Sequence, residues 1–323
     1  MDLSLQFTTP TMEISPIRIS TMVTTCNVDT VIHLETLYEQ IRIMPYWDLN
    51  DGVLKMEPPG RAGTKGISWK DIMQKPDKES KTFFYNQATL VIRREVAPLQ
   101  WKEINVKLFR NGGIQMTGVR SEQMSLNAIT WLVQHIQETC PGRVFETPPR
   151  IHKMQIQLVN TDFSIGAKIR RDALYKVISE KYRLTVSYEP SIYQGVKTKY
   201  FYNVHRPASC PPGLCPCEKL CKGTGDGSAL GECKKITISP FQTGQVIITG
   251  ARTMEQIEEA YEFMKKLFHD HADEVLRKNY ICPESQTEQE SRDTTAPSEK
   301  KSGWIHHPSP RNVYRISPDI IVR

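Results

Sequence analysis

Four thiols are the densest chemistry in this chain of 323 residues. Cys215, Cys217, Cys221 and Cys233 are spaced C-x-C-x₃-C-x₁₁-C in a Gly-rich stretch, 205–233, that also holds GTGDGSALG. Four thiolates so spaced can surround one tetrahedral zinc ion, and a lobe with almost no apolar content of its own would draw its folding energy from that metal. The spacing matches no standard ribbon or finger; Cys210 or His205 can substitute for one ligand, and unliganded thiols are the plain alternative. Cys26, Cys140 and Cys282 are scattered. The N-terminus, MDLSLQFTTPTMEIS, has neither the basic nor the apolar region of a secretory signal, so metal or free thiols are expected rather than disulfides.

A second constellation is duplicated. FRNGGIQMTGVRSEQM starts at Phe109 and FQTGQVIITGARTMEQ at Phe241, and Phe, Gly112/Gly244, Thr117/Thr249, Gly118/Gly250 and Arg120/Arg252 all recur at one offset of 132 residues. Each copy reads as two short strands around a Gly-containing turn, followed by a helix. Thr253 and Gln256 have capping-box spacing, and Ile257, Ala260, Tyr261, Met264, Leu267 and Phe268 follow on one helical face. Ser121 caps the other copy, with Met124, Ala128, Leu132, Val133 and Ile136 as its face.

The elements that must position these motifs also come twice. A strand-like stretch (18–25; 153–159) precedes a short amphipathic helix (Val31, Leu34, Tyr38, Ile41; Leu174, Val177, Ile178, Tyr182), and more β-rich sequence follows (82–93; 197–204). The chain therefore divides into an N-terminal arm (1–16), a first repeat (17–145) with a mobile loop insertion at 48–80, a second repeat (150–280) with the Cys-rich insertion, and a polar, disordered tail (281–323). Two such units predict one pseudo-symmetric α+β body.

Composition narrows the function. With 39% hydrophobic residues and no apolar run of about 18, a membrane span is excluded. The net charge of +6 favours a polyanionic partner, and it belongs to the body, because 281–323 holds six acids and six bases. G-x-S-x-G, G-x₄-G-K-[ST] and H-E-x-x-H are all missing, so no enzyme and no small-molecule substrate is expected.

The duplicated module resembles the core of the TATA-box-binding protein (TBP) family, most closely the TBP-like proteins of large double-stranded DNA viruses. LFRNGGIQMTGVRSEQ and FQTGQVIITGAR carry the likeness, with SYEP at Ser187 to Pro190 and the following SIYQG, and it spans about 17–280. The resemblance implies a saddle in which the two repeats form one curved antiparallel sheet with helices on the convex side. The concave side grips an AT-rich promoter in the minor groove, TBP being itself an example of wedge insertion between base steps. It also implies a TFIIB-like factor and RNA polymerase as partners, and an intracellular location in the host nucleus or a cytoplasmic viral factory, with packaging in the virion as a further option.

Carried over residue by residue, the wedges are Phe109 and Phe241, with Tyr193 beside the second. Counting back from LVIR puts Gln87 at the fourth position, and Phe84 takes it if the strand slips. Gln115, Thr117, Ile247 and Thr249 face base edges; Thr21 and either Gln155 or Gln157 stand where the family has its central Asn pair. Arg93, Arg120 and Arg252 approach phosphates. The rival is an interaction scaffold that has kept the fold and lost sequence-specific bending, with the Cys lobe and 48–80 as docking surfaces.

Overall fold

Period-two alternation of apolar and polar residues, broken by glycines, sets the architecture. The computed structural model describes residues 7–8, 10–73, 84–219 and 221–280. In chain order the elements are β1 (Phe7–Thr8), β2 (Arg18–Asn27), α1 (Leu34–Gln40), β3 (Gly52–Glu57), β4 (Lys65–Gly66), α2 (Trp69–Met73), β5 (Gln87–Ala97), β6 (Gln100–Phe109), β7 (Gly113–Val119) and α3 (Glu122–Thr139). Then follow β8 (His152–Ser164), α4 (Arg171–Lys176) running into a π-helical turn (Val177–Lys181), β9 (Thr185–Glu189), β10 (Tyr193–Tyr202), β11 (Lys234–Pro240), β12 (Gln245–Ala251), α5 (Met254–Asp270), α6 (Ala272–Val275) and β13 (Asn279–Tyr280).

Eleven strands form one sheet in the order β4-β3-β5-β6-β7-β2-β8-β12-β11-β10-β9, and β1 pairs with β13 apart from it. All pairings in the large sheet are antiparallel. The order reads alike outward from the central β2–β8 pair: β2, β7, β6, β5, β3 on one side and β8, β12, β11, β10, β9 on the other. Register repeats too, since Thr25 of β2 faces Gln155 of β8 where Arg18 of β2 faces Asp162 of β8. Residues 7–280 make one compact unit.

One face of the sheet is buried. Ile114, Met116 and Val119 on β7, and Val246, Ile248 and Ala251 on β12, join a single core with Ala128, Ile129, Leu132 and Ile136 of α3 and Ile257, Ala260, Met264, Leu267 and Phe268 of α5. Helix α3 lies on β7, and α5 on β12 and β10. Both helices start at the predicted caps: Ser121 Oγ accepts from the Met124 N–H (3.1 Å), and Thr253 Oγ1 from the Gln256 N–H (3.4 Å).

The duplicated glycines are backbone requirements. Gly112 (φ 83°) and Gly244 (φ 91°) make the turns, and a Cβ on either would run into the carbonyl oxygen of Thr30 or Ala167 respectively. Gly118 (φ 94°) and Gly250 (φ 95°) sit where register slips between β7 and β2 and between β12 and β8. Each Thr-Gly pair is thus a bulge that ends a strand and turns the chain towards its helix.

The segment 48–80 departs from the loop expected of it. Its described part, 48–73, holds β3, β4 and α2, with Val53, Leu54 and Met56 buried and β3 paired to β5. Lys55 is bound by Asp71 (2.7 Å), which also accepts from Ser68 Oγ and N–H. Glycines and lysines around the short VLKM run obscure a strand that is buried along nearly its whole length and so shows no alternation. The tail 281–323 and residues 1–6 lie outside the described residues.

Candidate nucleic-acid interface and metal centre

Residues alternating with the core positions cover the opposite face of the sheet. On β6 and β7 these are Asn105, Lys107, Phe109, Gln115 and Thr117; on β11 and β12 they are Thr237, Ser239, Ile247 and Thr249, with Phe241 in the turn between. All but buried Ser239 are half-buried. Helices α3 and α5 both pack on the core side.

Of the four expected wedges, Phe109 and Phe241 occupy equivalent ends of this face. Tyr193 meets Phe241 edge-on, ring centroids 5.6 Å apart, and Lys197 Nζ stands 4.1 Å over the Tyr193 ring. In the first repeat the residue across from Phe109 is Gln87. Phe84 lies in the turn before β5, 62% exposed, and no slip brings it into the strand.

Near the central pair, Thr21 faces Asn160, and its Oγ1 accepts the bulge N–H of Gly118 (3.1 Å), so its hydroxyl is engaged in holding the bulge. Gln157 donates to Thr25 Oγ1 (2.8 Å) and to Gln155 Oε1 (3.3 Å). Among the described residues Asn160 Oδ1 is buried without a protein partner. Asn160 and the half-buried Lys107, Lys197 and Lys199 are face residues that sequence reading missed, although strict alternation from Leu108 and Tyr200 would have found the lysines. Lys199 donates to Thr237 Oγ1 (2.9 Å), and burial together with Lys235 and Lys197 lowers its pKa.

The arginines divide. Arg93 is a correction: it is 5% exposed, donates to the carbonyls of Tyr46 and Asp48 (both 2.8 Å) and lies 3.8 Å from Glu103. A guanidinium so enclosed pins the 46–48 segment and has no reach to a phosphate. Arg120 is exposed, and Arg252 is half-buried with Nε unpartnered among the described residues.

The Cys lobe links β10 to β11. Sulfur atoms of Cys215, Cys217, Cys221 and Cys233 all lie within 4.8 Å of one another, with Cys217–Cys233 at 3.5 Å, Cys215–Cys221 at 3.6 Å and Cys215–Cys233 at 3.7 Å. Zinc–thiolate bonds of about 2.3 Å in a tetrahedron put neighbouring sulfurs about 3.8 Å apart, so the four fit one zinc ion. Gly231 N–H (3.0 Å) and Asn203 Nδ2 (3.5 Å) donate to Cys217 and Cys233 sulfur, the second layer that thiolate centres use. Burial pushes the Cys215 thiol up, but N–H and S–H groups of Cys221 and Cys217 outweigh it and bring it to about 7. Burial and the neighbouring thiols raise Cys233. Four thiolates so close need a cation. Cys210 and His205 stand outside the cluster.

The lobe is tied to the sheet and to α5. Phe201 N–H donates to the Gly213 carbonyl and Lys235 N–H to that of Gly223 (both 2.9 Å). Gln256 Nε2 donates to the Asp226 carbonyl (2.7 Å), and Glu259 joins Arg206 and Tyr200 (2.7 Å each).

No helix among the described residues is long and apolar enough to cross a membrane. No family model matches the chain. It is 26% identical over 260 residues to a "TATA-box-binding protein-like" protein of Acanthamoeba polyphaga mimivirus, covering 78% of this chain and 64% of the relative's length. Among solved structures it is similar to Methanococcus jannaschii TBP, with a TM-score of 0.41 and 16% identity over 80% of this chain and 99% of that one. The viral match, with the duplicated Phe-Gly-Thr-Gly-Arg module that the fold sets in mirrored places, gives this chain a TBP-like family relationship.

Proposed function

We propose that the chain is a transcription initiation factor that binds promoter DNA in the minor groove through the uncovered face of its sheet and bends it. The observation that carries this reading is the placement of Phe109 and Phe241 at pseudo-symmetric ends of one continuous sheet, on the face opposite α3 and α5. In this reading the two halves curve as a saddle. Aromatic rings at its two ends part the base steps they enter, unstacking costs a few kcal/mol per step, and the bent duplex then covers more protein. Tyr193 backs Phe241 as a two-ring wedge, whereas in the first repeat Gln87 stands across from Phe109. Thr117, Thr249, Gln115 and Ile247 meet base edges, and Arg120, Arg252 and the face lysines approach phosphates. The chain makes and breaks no bond, and it recruits a TFIIB-like factor and RNA polymerase.

The test is Phe109→Ala with Phe241→Ala. Bending of an AT-rich duplex, read by energy transfer between end labels, is expected to collapse; bending and affinity equal to the unaltered chain would refute the wedges.

A second reading, a scaffold without DNA bending, draws on Gln87 standing across from Phe109 and on the enclosure of Arg93. Phosphate contacts make affinity fall steeply with salt, so duplex affinity absent even at low salt would select the scaffold.

A further inference from the structure

The two halves of the open face match in backbone and differ in chemistry. Across β6, β7, β2 and β8 runs a row of Lys107, Gln115, Thr25 and Gln155. Its pseudo-symmetric counterpart across β11, β12, β8 and β2 is Ser239, Ile247, Asp162 and Arg18. The first row is all hydrogen-bonding groups, extended by Gln157 on Thr25. The Gln115 amide makes no side-chain hydrogen bond among the described residues and stays available. In the second row Asp162 is committed to Arg18, through Nη2 at 2.8 Å and Nε at 3.2 Å, and Ile247 offers only methyl groups.

We propose that this face reads its duplex asymmetrically: the half against Gln115 admits G·C pairs, and the half against Ile247 is restricted to A·T. The inference rests on the minor-groove reading above. In the minor groove A·T pairs show only acceptors, adenine N3 and thymine O2, whereas G·C adds the guanine N2 amino donor. A glutamine amide serves both, because Oε1 accepts from guanine N2–H and Nε2 donates to N3 or O2. Ile247 packs well on the flat A·T floor. A guanine amino group set against it loses water and gains no partner, which disfavours G·C there by about tenfold or more. Matching backbones let the duplex seat either way round; the unequal rows select one orientation.

The experiment is selection of bound duplexes by the full chain from a pool randomised across the site, followed by sequencing. The unaltered chain is expected to yield a lopsided profile, A·T only in one half and tolerant of G·C in the other. Gln115→Val should deplete G·C about tenfold in the tolerant half and make the profile symmetric, and Ile247→Gln should make both halves tolerant. A symmetric A·T-only profile from the unaltered chain would overturn the inference and leave DNA binding intact, as would profiles unmoved by both substitutions. Retention of no duplex at any salt would instead overturn DNA binding, and the inference with it.

Discussion

Gln256→Ala tests whether the Cys lobe and helix α5 form one cooperative piece. Gln256 is 2% exposed, and its amide makes two bonds: Nε2 to the Asp226 carbonyl in the lobe at 2.7 Å, and Oε1 from the Arg252 N–H before α5 at 2.8 Å. Alanine leaves both backbone groups without partners. An orphaned buried group costs about 1 to 3 kcal/mol, and because both bonds are part-buried the two together fall in the lower part of the range, about 2 to 4 kcal/mol. With a urea dependence of about 3 kcal/mol per molar, suited to a body of this size, the midpoint should fall by about 1 M at unchanged slope. Thr253→Ala removes only a cap hydroxyl, at about 1 kcal/mol, and is the internal comparison. Hydrogen exchange should rise both in the first turn of α5 and in 223–232. A midpoint shift no larger than that of Thr253→Ala, or faster exchange in α5 with an unchanged lobe, would refute the coupling.

The purified chain should carry one zinc per molecule by elemental analysis; chelation should free the lobe without unfolding the sheet, and well under one zinc would remove the centre. Cobalt in its place should give the charge-transfer bands of a tetrathiolate, lost in Cys217→Ser. Asn203→Ala, which withdraws the donor to Cys233 sulfur, should weaken metal affinity by about 10- to 100-fold in a competition titration. Gly112→Ala and Gly244→Ala should cost about 1 to 3 kcal/mol or more each, by near-equal amounts in urea melts, since each forces a side chain at positive φ into a carbonyl. Burial would raise Asp71, but Lys55 and Ser68 outweigh it and hold the carboxyl down at about 2 against an ordinary 3.8. Its stabilisation is complete above pH 3.8 and is lost as pH falls towards 2, and acid titration of Asp71→Asn should lack that component.

What the sequence revealed depended on how far each signal stood above local noise. The Cys spacing was legible because four ligands for one ion leave a pattern that core packing does not imitate. The glycine motif was legible because left-handed backbone admits almost nothing else, and it occurs twice. Segment 48–73 was not: β3 is a short strand held between the two-residue β4 and β5, and no pattern inside VLKM announces those partners. Arg93 failed for a related reason, since its identity signals charge and only the fold brings the Tyr46 and Asp48 carbonyls around it. Register slips between β2 and β8 set Asn160 opposite Thr21, a pairing that no local pattern announces.

The repeat therefore separates two demands on the same strands. Positions identical in both halves are Phe109/Phe241, the turn and bulge glycines, the threonines before the bulges and Arg120/Arg252; at the glycines, what both halves share is a φ that a side chain would strain. Among the positions that differ, Gln115/Ile247 and Thr25/Asp162 are half-buried on the uncovered face, where no helix packs over them, whereas core pairs such as Met116/Ile248 change only from one apolar side chain to another. A fold needing only its own stability would have no reason to keep both aromatics on a wet face while letting the residues between them diverge. The proposed reading, in which this face wedges a duplex at two ends and tells one end from the other, supplies that reason.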